Sequence, residues 1–240
     1  MKDLFKFVLF LPFCHVSLAT DYYTDTLTIK SEILGENREI LLFIPSELDR
    51  SDTIKLLYML DGKFAEYRFQ HLSGMQDFKS LLGIGIINTD RRKELLYAFD
   101  ADQFLKFISD ELIPAVERNF AMHQRILYGH SFGGSFTLYA MLHMPGLFDQ
   151  YIASSPTPIM DMVESRLYLQ LDSSLNKEIR FYYCHGSKDM KQVRKWSERL
   201  HSNLQEQNFS KIRWKYEVFE GLDHNSSDTK AILKGVTFLQ

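Results

Sequence analysis

Two spacings of apolar residues alternate along the chain. Tyr22–Ser31 (YYTDTLTIKS) and Arg38–Pro45 (REILLFIP) alternate or cluster β-branched and aromatic residues, which predicts two strands joined by a turn at Gly35-Glu36-Asn37. Ile54–Leu60 (IKLLYML) and Leu81–Ile87 (LLGIGII) are short continuous apolar runs, suited to strands buried on both faces. Phe104, Ile108, Leu112, Ala115 and Val116 then fall at helical spacing, with a kink expected at Pro114. RILYGH is a strand and FGGSFTLYAMLHM a helix; YIASS and IRFYYC are strands. MKQVRKWSERLHSNLQEQ is an amphipathic helix, RWKYEVF the last strand and TKAILKGVTFL the last helix. Strands and helices alternating in this way predict an α/β fold: a mostly parallel sheet with helices on both faces and an antiparallel N-terminal hairpin.

Composition narrows the setting. The 240 residues are 45% hydrophobic, enough for one sizeable core and a single domain. A net charge of −3 with acids and bases interspersed gives no nucleic-acid-binding stripe. Residues 1–19 carry Lys2 and Lys6, an apolar run from Phe7 to Phe13, then Ser17 and Ala19 as small residues at a cleavage site. That pattern predicts a signal peptide, leaving a domain of residues 20–240 that is exported, periplasmic or secreted, with no stable membrane insertion after signal removal. The run is too short to span a bilayer. Cys14 would leave with the signal, so Cys184 could form no intrachain disulfide and is read as a buried small hydrophobe.

The stretch RILYGHSFGGSF places Ser131 between Gly129 and Gly133, as G-x-S-x-G, where a strand passes into a helix. Small residues on both sides relieve the strain of such a turn, and the helix N-terminus beneath the hydroxyl favours developing negative charge. Ser131 is therefore the candidate nucleophile. Serine needs a base to take its proton, and in this architecture the partners follow as acid and then histidine. His224, in EGLDHNSS after the last strand, is the candidate base, with His185 as its rival. Asp189, in the loop after IRFYYC, is the candidate acid; it could instead cap the next helix, and Asp161, Glu217 and Asp223 are fallbacks. The backbone amides of Phe132 and of Lys63, in LDGK, are the candidate oxyanion hole.

With those residues in place, the blocks YMLDG, GIINTDRRKEL, FISDELIPAVERNF, RILYGHSFGGSF, LFDQYIASSP and EGLDHNSS resemble the putative esterase family. Its relatives include siderophore esterases, feruloyl esterases, esterase D and the antigen 85 mycolyltransferases. The resemblance runs across nearly the whole chain after the signal and implies an α/β-hydrolase fold, Ser131 as nucleophile and His224 as base. Antigen 85-like proteins imply the Lys63 and Phe132 amides as oxyanion hole and an acid in the Asp189 loop. The chain departs from its relatives at LYAFD, where they carry a longer polar insertion, and at TPIMD, where many have a tryptophan-rich turn. Both segments should border the pocket, so substrate identity transfers least.

The NTDR block reads first as a structural turn at Asn88 and Asp90; alternatively Arg91 or Arg92 faces the site and binds an acidic group of the substrate. Met160 and Met162, in the short possible cap from Thr157 to Lys177, would line an adaptable apolar pocket and favour small or medium esters. The sequence thus predicts a serine hydrolase acting on a small-molecule carboxylic ester through a Ser-His-Asp triad, with no metal or cofactor. An acyltransferase using the same residues and a catalytically silent binding protein on this scaffold are the rivals.

Overall fold

The computed structural model describes residues 21–48, 54–96, 100–118, 122–158 and 168–238. Eight strands form one sheet: β1 (Tyr22–Ser31), β2 (Glu36–Pro45), β3 (Ile54–Met59), β4 (Leu81–Ile86), β5 (Met122–His130), β6 (Gln150–Ser154), β7 (Ile179–Gly186) and β8 (Ile212–Phe219). Their order is β1-β2-β4-β3-β5-β6-β7-β8. β1 pairs antiparallel with β2 and β2 with β4; from β4 onward every neighbour is parallel. This is the expected α/β-hydrolase architecture with its antiparallel N-terminal hairpin.

The two faces of the sheet separate the core into two layers, as a period of two requires. Leu56 and Tyr58 of β3 face one layer with Phe104, Phe107, Phe136, Trp196 and Leu200. These come from helices α3 (Ala101–Phe107), α5 (Phe132–His143) and α7 (Lys191–Gln205). Leu57 and Met59 face the other, with Ala65 and Phe69 of α1 (Ala65–Gln70) and Ala231, Ile232 and Val236 of α8 (Ser227–Thr237). α5 is buried from Gly133 to Met141 because it packs centrally on the sheet, which is why its sequence is apolar almost all round.

Three local expectations change. The first turn spans residues 32–35 and closes with the Gly35 amide on Ser31 O at 3.1 Å. Glu36 and Asn37 already pair with Ser31 and Lys30, because the turn is complete at Gly35, whose φ of 71° suits glycine. The kink near Pro114 is a π-helical turn over Ile108–Leu112 between α3 and α4 (Ile113–Glu117). Pro114 then lies in the first turn of α4, where a missing amide hydrogen is tolerated. The short helices α1, α2 (Arg91–Leu95) and α6 (Tyr168–Ser174) were not expected, since five to seven residues are too few to show a helical period. Among the described residues no helix is long and apolar enough to cross a membrane.

The loops leaving the carboxyl ends of β3, β5, β6, β7 and β8 carry Asp61, Ser131, Ser155, Asp189 and His224 in turn. Parallel strands put all five at one edge of the sheet, where open α/β folds bind their ligands.

Candidate active site

Ser131 occupies the turn between β5 and α5 at φ 59° and ψ −118°, a conformation that non-glycine residues rarely adopt. The turn is closed by the Ser131 amide on Ser154 O at 2.9 Å and by the Ser135 amide on Ser131 O at 3.0 Å. It is so tight that a Cβ at Gly129 would lie 2.1 Å from Gly133 O, so only glycine fits there.

Ser131 and His224 line one cleft of about 500 Å³, together with Asp61, Phe64, Arg91 and His130. From behind, His224 Nδ1 donates to Asp189 Oδ1 at 2.8 Å. Asp189 also accepts from the Ser155 hydroxyl on Oδ2 at 2.6 Å and from the Met190 amide on Oδ1 at 2.7 Å. Asp189 is not the helix cap: the N-cap is Met190, with no side-chain cap bond, and the Asp189 carboxylate joins His224 to the residue before the helix. Burial alone would raise its pKa, but the hydrogen bonds from His224 and Ser155 outweigh it and hold the carboxyl below its ordinary value. Ser155, itself at φ 44°, also meets the Ser227 hydroxyl at 3.0 Å, and Ser227 donates to His224 O at 3.0 Å. The sequence gives no sign of the part of Ser155, because its two partners lie 34 and 72 residues away.

The alternatives to His224 and Asp189 are engaged elsewhere. His185 Nδ1 faces Gly186 O at 2.8 Å and its Nε2 meets the Tyr216 hydroxyl at 2.7 Å. Glu217 accepts from Tyr182 at 2.8 Å, and Asp223 accepts from Ser226. Asp161 lies outside the described residues, as does Met160.

Arg68 and Asp228 also line the cleft, a polar pair that sequence reasoning missed. Arg68, 2% exposed, donates to Leu60 O at 2.7 Å and to Asp228 Oδ2 at 3.1 Å, and the Tyr128 hydroxyl also donates to Asp228. The His130 ring sits 4.8 Å from the His224 ring, and its Nδ1 meets the Ser154 hydroxyl at 3.0 Å. Burial pushes the pKa of His130 down to about 4.

The β3 loop approaches from the other side. Asp61 has φ 56° and opens a 3₁₀ turn over Gly62–Phe64. A Cβ at Gly62 would lie 2.7 Å from the Ile86 backbone, so the loop can press against the end of β4 only with glycine there. Lys63 borders an adjoining recess of about 160 Å³ that shares Asp61, Phe64 and Arg91 with the cleft. Phe132 lies under Arg91, whose guanidinium carbon is 4.9 Å from the ring centroid. In the NTDR block, Asp90 accepts from the Lys93 amide at 3.0 Å, as an N-cap. Asn88 accepts from the Asp61 amide at 3.1 Å and donates to Glu94 at 2.6 Å. Arg92 is exposed on α2. Among the described residues no three His, Cys, Asp or Glu side chains gather as metal ligands would.

The chain is similar to known proteins in sequence and in fold. A segment of the chain is 47% identical over 60 residues to the siderophore triacetylfusarinine C esterase of Aspergillus fumigatus, and 39% over 59 residues to the ferri-bacillibactin esterase BesA of Bacillus subtilis. Each match covers 24% of this chain and 20% of the relative. Among solved structures, the BES protein from Bacillus cereus superposes with a TM-score of 0.79 at 20% identity, covering 90% of this chain and 96% of that one. The siderophore hydrolase EstA from Aspergillus nidulans gives 0.72 at 19% identity, covering 99% and 98%. These structures share the fold. Residues 31–229 match the model of the family described as "Putative esterase", and the chain belongs to that family.

Proposed function

We propose that this protein is an exported serine hydrolase that cleaves carboxylic esters of small molecules. The observation that carries the reading is a serine at a positive-φ strand-to-helix turn, sharing one cleft with a histidine whose Nδ1 is bonded to a buried aspartate at 2.8 Å. With Nδ1–H given to Asp189, the Nε2 of His224 is the ring nitrogen left to act as base. It takes the Ser131 proton as Oγ attacks the ester carbonyl. The Phe132 and Lys63 amides receive the charge that develops on the carbonyl oxygen. The tetrahedral intermediate collapses, His224 returns the proton to the departing alkoxide, and an acyl-serine remains. Water, deprotonated by His224, then attacks the acyl carbon; a second collapse releases the acid and restores Ser131 Oγ–H. The carboxylate of Asp189 stabilises the imidazolium formed in each half.

Two relatives are named for siderophore esters, triacetylfusarinine C and ferri-bacillibactin. Siderophore esters are therefore the first substrate class to try, beside simple p-nitrophenyl esters of graded acyl length. Hydrolysis together with fluorophosphonate labelling, both lost in Ser131→Ala, is the expected result. Labelling with no hydrolysis but product formation on addition of an alcohol would point to acyl transfer. A folded wild type that does not label would sink the hydrolase reading and leave a binding protein. Export predicts secreted material starting at Thr20, which N-terminal sequencing reads directly.

A further inference from the structure

We propose that Arg91 is a positioning residue that neutralises Asp61 and ties together the two loops of the oxyanion hole. This rests on the reading of the Lys63 and Phe132 amides as oxyanion donors. Asp61 is 6% exposed and stands two residues before Lys63. Its carboxylate also reaches the first turn of α5: a Cβ on Gly133 would come within 3.3 Å of Asp61 Oδ2. A carboxylate wedged between those loops opposes the negative charge that an ester carbonyl acquires beside Ser131. The fold nevertheless places one there.

Arg91 is the compensation. Its Nε and Nη2 both engage the Asp61 carboxylate, the latter at 2.9 Å, in a bidentate fork. Nη2 also lies 3.4 Å from His130 O, and the planar face covers Phe132. One guanidinium thus touches the β3 loop, the end of β5 and the residue after Ser131. It is held in place because α2 is itself anchored: Glu94 accepts from Arg38 at 2.8 Å and from Asn88, whose carbonyl oxygen in turn holds the Asp61 amide. An acidic substrate group could use the same edge of Arg91 only by displacing Asp61. That edge of Arg91 is committed within the protein.

The test is a double-mutant cycle on kcat and KM, with a neutral and an anionic ester of the same acyl group. Arg91→Ala should lower kcat about 10²-fold on both esters, comparable to losing one oxyanion donor, with KM changed by no more than about threefold. Asp61→Asn added to Arg91→Ala should recover about tenfold, because it removes the charge that Arg91 cancels. Arg91→Lys should fall between, since an ammonium supplies charge without the fork. A loss confined to KM of the anionic ester would overturn the proposal and make Arg91 a substrate-binding group. A double variant no better than Arg91→Ala would overturn it too. Should Arg91→Ala melt early, Arg91→Lys and the double variant still decide, by the same two readouts. Fluorophosphonate labelling of the wild type separates the readings: labelled wild type with a failed cycle removes only the clamp, and unlabelled wild type removes both.

Discussion

In the proposed reaction, much rests on single atoms of Asp189 and Ser155. Asp189→Asn puts an amide where His224 Nδ1–H needs an acceptor, so the imidazole is pushed toward the wrong tautomer. The expected loss is about 10²–10⁴ in kcat with KM little changed, the upper figure being that of a serine-protease triad. If Asp189 served only as the acceptor for the Met190 amide, asparagine would do as well and kcat would match wild type. Ser155 offers a finer cut. Ser155→Ala and Ser155→Gly both remove the hydroxyl that holds Asp189 Oδ2, and both should lower kcat about tenfold by freeing the carboxylate. They should differ in stability: at φ 44° glycine is unstrained and alanine is not, so the glycine variant should be more stable by about 1 kcal/mol. Equal melting temperatures for the two would show that the backbone at 155 is relaxed.

At the scale of elements, α2 illustrates what a sequence can and cannot carry. Its five residues are too few for a period, yet they hold the β3 loop through Glu94, Asn88 and Asp61. Arg38 on β2 is 1% exposed and depends on Glu94, with Glu36 as a second, more exposed partner. Burial would raise the Glu94 pKa, but hydrogen bonds from Arg38, Asn88 and Thr89 outweigh it and keep the carboxyl below its usual range. Glu94→Ala should therefore cost about 3 kcal/mol in urea denaturation, at the low end for breaking a buried pair because Glu36 remains. A cost under about 0.5 kcal/mol, the size of an ordinary surface change, would mean α2 is not anchored this way. The strands and longer helices are legible in the sequence because each repeats its period several times, and Ser131 because glycines on a strand-to-helix turn are a local signal. His224 and Asp189 are legible as candidates from chain order, and the fold joins them by a hydrogen bond. Arg68 with Asp228, 160 residues apart, and Ser155 with Asp189 are not, since such pairs exist only once the sheet has brought its loops to one edge.

For the molecule as a whole, acid sensitivity follows from its buried ionisable groups. His130 has its pKa lowered by burial to about 4, against about 6.5 in the unfolded chain. Between those values the unfolded state binds a proton that the folded state refuses, so stability is complete above pH 6.5 and falls as pH drops toward 4. The shift corresponds to up to about 3 kcal/mol. Asp189, lowered by His224 and Ser155 despite its burial, adds a second loss at lower pH, as pH falls through its folded value. Urea midpoints from pH 7 to 4 should decline in wild type, and His130→Gln should flatten the slope above pH 4. An unchanged slope in that variant would assign the acid response elsewhere.

Cys184 makes the molecule its own stopwatch. Its thiol is fully buried on β7 in the core layer shared with α8, and burial pushes its pKa up. In a chain starting at Thr20 it is the lone sulfhydryl. A disulfide reagent in native buffer can then react only during moments when that layer comes apart. The rate of colour release counts those excursions, and ligands that hold the closed form should slow it in proportion to how tightly they bind.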